Sequence, residues 1–282
     1  MSIRSDTLLA ETVSAEWLDG PRRLTAVTAM NSSTWIVETD SRRYALKISD
    51  PSDLPGLDVA TWLHGHGVLT GAPVRTAVRG GRLVALLRFV DGRPLQHDDA
   101  RAVGTTLGRI HRVLRDAPTP DGTHRWPWRW LDPAIIEEAA LRSAAAAAIE
   151  SAERLAPTVT HGMLHGDPAP EAFLATDDDV GLIDWGAACH GPLLYDVASA
   201  WMYTSQSDQL IAAYAQAGPL SRSELAHTEA FLSFRMAVQA WYFSKRLAAN
   251  DLTGIETREG NEKGLADARA ALLSGRSGRM DP

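Results

Sequence analysis

The chain has 282 residues, 45% of them hydrophobic, which is enough to bury a core in one or two domains and too apolar for a disordered chain. Lys and Arg number 28 against 35 Asp and Glu, and the resulting formal charge of −7 excludes an extended nucleic-acid or anionic-membrane footprint and suits a small cationic partner. The single cysteine, Cys189, excludes an intrachain disulfide and a cysteine-rich zinc site.

Residues 1–20 have no apolar core behind a basic start, and Asp6, Glu11 and Glu16 interrupt them. With no uninterrupted apolar run of about 18 residues anywhere, the expectation is a cytoplasmic protein without secretory signal or membrane span. Residues 24–48 read as an antiparallel hairpin, two β-rich runs around a polar turn at Asp40-Ser41. A helix is expected over 57–64, with Val59, Trp62 and Leu63 on one face and Gly65 and Gly67 ending it. Strands follow over 74–76 and 83–90, then a turn at Asp91-Gly-Arg-Pro94.

Beyond that turn the periodicity becomes helical. Residues 98–115 place Val103, Leu107, Ile110 and Leu114 on one stripe. Residues 133–155 are Ala-rich, and because Ala is the best helix former the stretch predicts a helix rather than a linker. Residues 159–185 are short, β-like and punctuated by Gly and Pro, and helices resume from Leu194. The run Arg125-Trp-Pro-Trp-Arg-Trp130 interleaves bases with aromatics as single-strand nucleic-acid binders do. In so acidic a chain, packing or a pocket lid is the better reading.

The chemically informative segments are His165-Gly-Asp-Pro-Ala-Pro-Glu171 and, shortly after, Gly181-Leu-Ile-Asp-Trp-Gly186. Phosphoryl transfer to an alcohol needs a carboxylate beside the attacking hydroxyl and further oxygen ligands that hold Mg²⁺ against nucleotide phosphates. Asp167 follows a glycine in a tight loop, and Asp184 closes an apolar strand, so the two acids can serve as base or orienter and as metal ligand.

In these segments the chain resembles the antibiotic phosphotransferase family, the aminoglycoside and choline kinase relatives of protein kinases. The family signature is His-Gly-Asp, an Asn five positions later, then Ile-Asp-Trp or Ile-Asp-Phe. His165-Gly-Asp167 and Ile183-Asp-Trp-Gly186 match its two halves, and Tyr44-Ala-Leu-Lys-Ile48, Leu86-Leu-Arg-Phe-Val-Asp-Gly92 and Leu107-Gly-Arg-Ile-His111 match further family segments in order. The resemblance implies an α+β, bilobal protein-kinase-like fold: a small β-rich N-lobe over 1–90, a hinge at about 87–92, and a larger, mainly helical C-lobe over 93–282. It implies that Lys47 contacts the α- and β-phosphates and that the Arg88 carbonyl and Val90 N–H bond the adenine edge. Asp167 would accept or orient the hydroxyl proton, Asp184 would bind Mg²⁺, and His165 and Asp196 would support the catalytic loop. ATP or GTP is the implied co-substrate.

Three departures from the family stand out. Ala172 occupies the Asn position, leaving Glu171 as the nearest replacement ligand. The phosphate loop Met30-Asn-Ser-Ser-Thr34 has no Gly, leaving Ser32 and Ser33 as phosphate donors. The helix that normally pairs an acid with the lysine offers Asp58. The acceptor pocket is expected between the catalytic loop and the stretches 131–155 and 221–273, whose acids include Asp132, Glu137, Glu138, Glu224, Glu229, Glu256, Glu259 and Glu262. Together with the net charge these favour a polycationic, hydroxyl-bearing antibiotic, an aminoglycoside or a peptide of the viomycin and capreomycin type. A metabolic alcohol such as choline, homoserine or a sugar, and a catalytically silent nucleotide-binding module, are the competing readings.

Overall fold

The computed structural model describes residues 3–27, 33–253 and 257–274. Helix α1 (Ile3–Trp17) precedes strands β1 (Arg22–Val27), β2 (Ser33–Thr39) and β3 (Arg43–Ser49). Helix α2 (Leu54–Gly65) and strands β4 (Pro73–Arg79) and β5 (Arg82–Arg88) complete an antiparallel five-stranded sheet of order β1-β2-β3-β5-β4. Trp35, Leu46 and Leu86 lie opposite one another across β2, β3 and β5. With Val37, Ile48 and Val84 they are buried against Ala10 and Val13 of α1. Successive strand residues face opposite sides, so Lys47, between two residues covered by α1, faces the other side of the sheet.

The expected hairpin and later strands are present, and α2 begins three residues before the expected start. The sequence reading missed α1, although Asp6, Ala10, Val13 and Trp17 follow helical spacing. Helix α2 buries Val59, Ala60 and Leu63 in the same core as the helices that follow, so it belongs by packing to the helical part.

The chain leaves the sheet at Arg88, whose N–H donates to the Ala72 carbonyl (2.9 Å). Arg43 pairs with Asp91 and lies over the Phe89 ring (4.5 Å to its centroid), bracing this crossing. Strand β6 (Arg93–Pro94) then joins a small sheet with β8 (Phe173–Ala175) and β9 (Val180–Leu182), while β7 (His161–Leu164) pairs with β10 (Cys189–Pro192). Helix α3 (Ala100–Leu114) carries the expected stripe. Helices α4 (Ala139–Leu155), α5 (Leu194–Met202), α6 (Ser207–Ala217), the single turn α7 (Arg222–Leu225), α8 (Thr228–Ala249) and α9 (Arg258–Ser274) complete the fold.

The alanine run has a packing reason. Ala145 and Ala148 of α4 meet Ala237 and Ala240 of α8 and Ala268 of α9 in a core of small side chains. The Trp run also packs: Trp128 stacks on Trp130 (centroids 5.9 Å apart, 10° between planes) and meets Tyr195 and Phe234 edge-on or tilted. No helix among the described residues is long and apolar enough to cross a membrane.

Docking of α1 is testable. Val13→Ala removes two buried methyl-sized groups from the seam with the sheet and is expected to cost about 2 kcal/mol in urea unfolding. An unchanged midpoint would show that α1 adds nothing to the sheet's stability.

Candidate active site

The loop that carries Asp167 hangs from one buried carboxylate. Asp196, on α5 and with no exposure, accepts from the backbone N–H of His165 (Oδ2, 2.7 Å) and of Gly166 (Oδ1, 2.9 Å). Nε2 of His111, on α3, donates to the same Oδ2 (3.2 Å), because its Nδ1 receives the Tyr214 hydroxyl (2.8 Å). Gly166 has φ +89°, and a Cβ there would lie 2.2 Å from the Ala187 carbonyl oxygen. Only glycine lets the loop turn this way and lie directly on residues 184–187.

His165, buried at 2% exposure, joins the two expected acids. Its Nε2 donates to the Ile183 carbonyl (2.8 Å), which leaves Nδ1 to accept the Asp167 N–H (3.3 Å). One imidazole ring therefore sets the backbone positions of both Asp167 and the residue before Asp184.

Asp184 is held at φ 68° and ψ 60°, a left-handed conformation that costs a non-glycine residue about 1–2 kcal/mol. The cost is borne because the strand before it is pinned: Leu182 N–H donates to Leu69 O (3.1 Å) and Ile183 N–H to Ala172 O (2.9 Å). The turn brings the Asp184 carboxylate onto Lys47 Nζ at 2.6 Å. Burial by itself would raise the Asp184 carboxyl; the ammonium beside it and the nearby His165 outweigh that and hold it below the usual range.

Other expected residues stand differently. Asp58 is exposed and borders a shallow groove with Trp62, Ala117 and Pro120, away from Lys47. The acid acting on Lys47 from the α2 side is Asp53, the residue just before that helix. A Cβ on Gly186 would lie 3.0 Å from Asp53 Oδ2 and 3.4 Å from Lys47 Nζ, which places both groups beside the same glycine. The α2 backbone reaches this point because Gly56 rests on the Trp185 carbonyl, where a Cβ would be 1.9 Å away. Asp53 was missed because the resemblance places the acid within the helix, where Asp58 stands, whereas Asp53 sits in the turn before it.

Ala172 is buried in the apolar core beside Phe173 and Leu182, so its position faces packing and not solvent. Glu171 is exposed on the turn before β8 and makes no hydrogen bond or ion pair with Asp167, Asp184 or Lys47 among the described residues. No group of three or more His, Cys, Asp or Glu able to hold a metal ion occurs among them. Ser32 lies outside the described residues. The Ser33 hydroxyl, expected to meet phosphate, instead donates to Asp6 of α1 (2.7 Å).

Four of the eight acids expected to receive a polycation are spent on the fold. Asp132 caps a short turn, Glu138 pairs with Arg269 (2.8 Å), Glu224 closes a capping box and accepts the Thr160 N–H (2.7 Å), and Glu262 pairs with Arg258 (2.9 Å). Glu256 lies outside the described residues.

Asp167 has a neighbour that sequence spacing did not suggest. Its Oδ1 accepts from Arg235 Nη2 of α8 (2.6 Å) and from the Tyr203 hydroxyl (3.0 Å), while the side chain stays 49% exposed.

An antiparallel five-stranded sheet, a crossing segment and a helical body whose loops present Asp167 and Asp184 near a strand lysine define a protein-kinase-like phosphotransferase acting on a hydroxyl group. Residues 23–227 match the phosphotransferase enzyme family, APH, and the chain belongs to it. It is 27% identical over 230 residues to a homoserine kinase of Bradyrhizobium sp. (strain BTAi1), covering 70% of this chain and 71% of that protein. Among solved structures, amicoumacin kinase hAmiN, in complex with AMP-PNP, Ca²⁺ and Ami, superposes with a TM-score of 0.77 at 15% identity, covering 98% of this chain and 96% of that one. A microcompartment-associated aminopropanol kinase gives 0.71 at 18% identity, covering 95% and 98%.

Asp53 generates a prediction of definite sign. Burial raises its carboxyl above the ordinary value, and the attraction of Lys47 and a Ser49 hydrogen bond only partly oppose this. A raised folded value gives stability that is complete below the unfolded value and is lost as pH rises through the folded one. At neutral pH the charged Asp53 therefore works against the fold. Asp53→Asn is expected to raise the urea midpoint at neutral pH, with the gain vanishing below about pH 3, and to weaken nucleotide use because Lys47 loses a flanking anion. A lower midpoint at neutral pH would refute this account.

Proposed function

We propose that this chain transfers the γ-phosphate of ATP, or of GTP, to the hydroxyl of a small amino alcohol. The observation that carries the reading is the His165 imidazole, bonded to the Ile183 carbonyl and to the Asp167 N–H, which locks the loops of the two acids together. In this reading residues 1–90 form the nucleotide-binding lobe, joined at about 87–92 to an acceptor-binding lobe over 93–282. Lys47 contacts the α- and β-phosphates, and the Arg88 carbonyl and Val90 N–H meet the adenine edge. Asp167 aligns the acceptor hydroxyl for in-line attack and takes its proton as the O–P bond forms.

Asp184 is the residue suited to hold Mg²⁺. Magnesium keeps several waters and needs only one or two carboxylates besides substrate phosphates, which fits a single half-exposed carboxylate better than a protein cage. Bound there, the ion would supply charge neutralisation at the phosphates. Lys47 would then turn from the carboxylate to the nucleotide.

The amino alcohol is favoured because homoserine and aminopropanol, named in two of the similar proteins, share an amine and a hydroxyl. A cationic antibiotic, with resistance as the outcome in the cytoplasm, remains the larger member of the same chemical class. The expected acidic wall supports it less, since four of those eight acids are already engaged within the fold. Within that class homoserine has the added support of the shared span with the homoserine kinase.

The test is incubation with ATP, Mg²⁺ and a panel of homoserine, aminopropanol, choline, aminoglycosides and viomycin, read by mass spectrometry for gain of one HPO₃ unit. Transfer to an amine-bearing alcohol is expected, lost in Asp167→Ala with nucleotide binding retained. Nucleotide binding without transfer to any acceptor would favour a silent module.

A further inference from the structure

We propose that Arg235 is a positioning residue for the proposed phosphoryl transfer: with Tyr203 it grips Oδ1 of Asp167 so that Oδ2 alone is presented to the acceptor hydroxyl. This rests on the role given to Asp167 above. A carboxylate on an exposed loop rotates freely, and alignment of the attacking oxygen is where most of the rate advantage of such a site arises. Arg235 Nη2, the Tyr203 hydroxyl and Asp167 Oδ1 form a closed triangle with sides of 2.6, 3.0 and 3.1 Å. Among the described residues no group bonds Oδ2.

The grip is itself anchored. Arg235 is 6% exposed in the middle of a 22-residue helix, and its Nη1 donates to the hydroxyl of Tyr195 on α5 (2.9 Å), which is 3% exposed. A guanidinium and a carboxylate that serve only stability commonly meet side by side through two parallel bonds. Here the approach is end-on, a single oxygen is used, and Arg235 Nε is left buried without a partner. A buried donor left unsatisfied is a sign that orientation has been favoured over pairing.

The charge states suit this use. Burial disfavours the Arg235 cation, but the Asp167 anion and the Tyr195 and Tyr203 hydroxyl oxygens that accept its N–H groups outweigh it and keep the guanidinium charged. Burial and the Asp167 anion push the Tyr203 phenol well up, and burial pushes Tyr195 up to about 12, so both stay protonated at neutral pH, Tyr203 donating to Asp167 and Tyr195 accepting from Arg235.

The experiment uses the full chain as wild type, Arg235→Ala, Arg235→Lys and Tyr203→Phe, with ADP binding and thermal unfolding checking the fold. With the acceptor found above, Arg235→Ala is expected to lower kcat about 100-fold with the ATP KM nearly unchanged. Added guanidinium ion should restore part of the loss, Arg235→Lys should retain an intermediate rate, and Tyr203→Phe should lose roughly tenfold. Wild-type kcat in Arg235→Ala, or a loss that neither guanidinium nor lysine repairs, would overturn the proposal. Crystal structures of wild type and Arg235→Ala decide it without any acceptor: the Asp167 carboxylate should rotate in the variant, and an unmoved carboxylate refutes the grip. Failure of the wild type to phosphorylate any acceptor would instead count against the phosphotransferase reading.

Discussion

A carboxylate removed from water must be met by donors on every side, and Asp196 meets this condition with two backbone N–H groups of the catalytic loop and the imidazole of His111. These bonds fix where residues 165 and 166 begin. From that point the His165 ring reaches across to the Ile183 carbonyl, and the loop bearing Asp184 is fixed in turn. The chain of support runs inward to Tyr214 on α6, so the site is held by the densest part of the helical core.

The second constraint is the meeting of the sheet with the helical body. Lys47 arrives from the sheet because strand alternation turns it away from α1, and Asp184 arrives from β9 because a left-handed residue turns its carboxylate outward. The two charges neutralise each other across the cleft. The Asp184 side chain of the pair is 45% exposed and that of Lys47 15%, so the carboxylate keeps its contact with water. Helix α2 sets the spacing, its Gly56 seated on the Trp185 carbonyl and Asp53 flanking the lysine.

Asp167, after a glycine in a tight loop, and Asp184, closing an apolar strand, were legible from local pattern, whereas Lys47 was singled out by the family resemblance. Asp196 was also legible, although its cap-like position at the start of α5 said nothing of His111, 85 residues earlier. Asp58 shows the opposite case: the resemblance pointed to an acid on α2, while the turn before α2 delivers Asp53 instead. The acids of α4, α7 and α9 read as an anionic wall because composition cannot distinguish a free carboxylate from one already capping a helix or pairing with arginine.

Composition and periodicity by themselves determined a β-rich beginning, a helical remainder and two acids on neighbouring loops, because these properties follow from residues close together in the chain. Which partner each charge takes was decided only by the tertiary structure. Arg235 lies 68 residues from Asp167 and reaches it through the packing of α8 on α5, and Lys47 lies 137 residues from Asp184. Charge-assisted bonds need donor and acceptor within about 3 Å of each other, a closeness that such distant residues reach only through the packing of the core, and no local pattern records which pair will attain it.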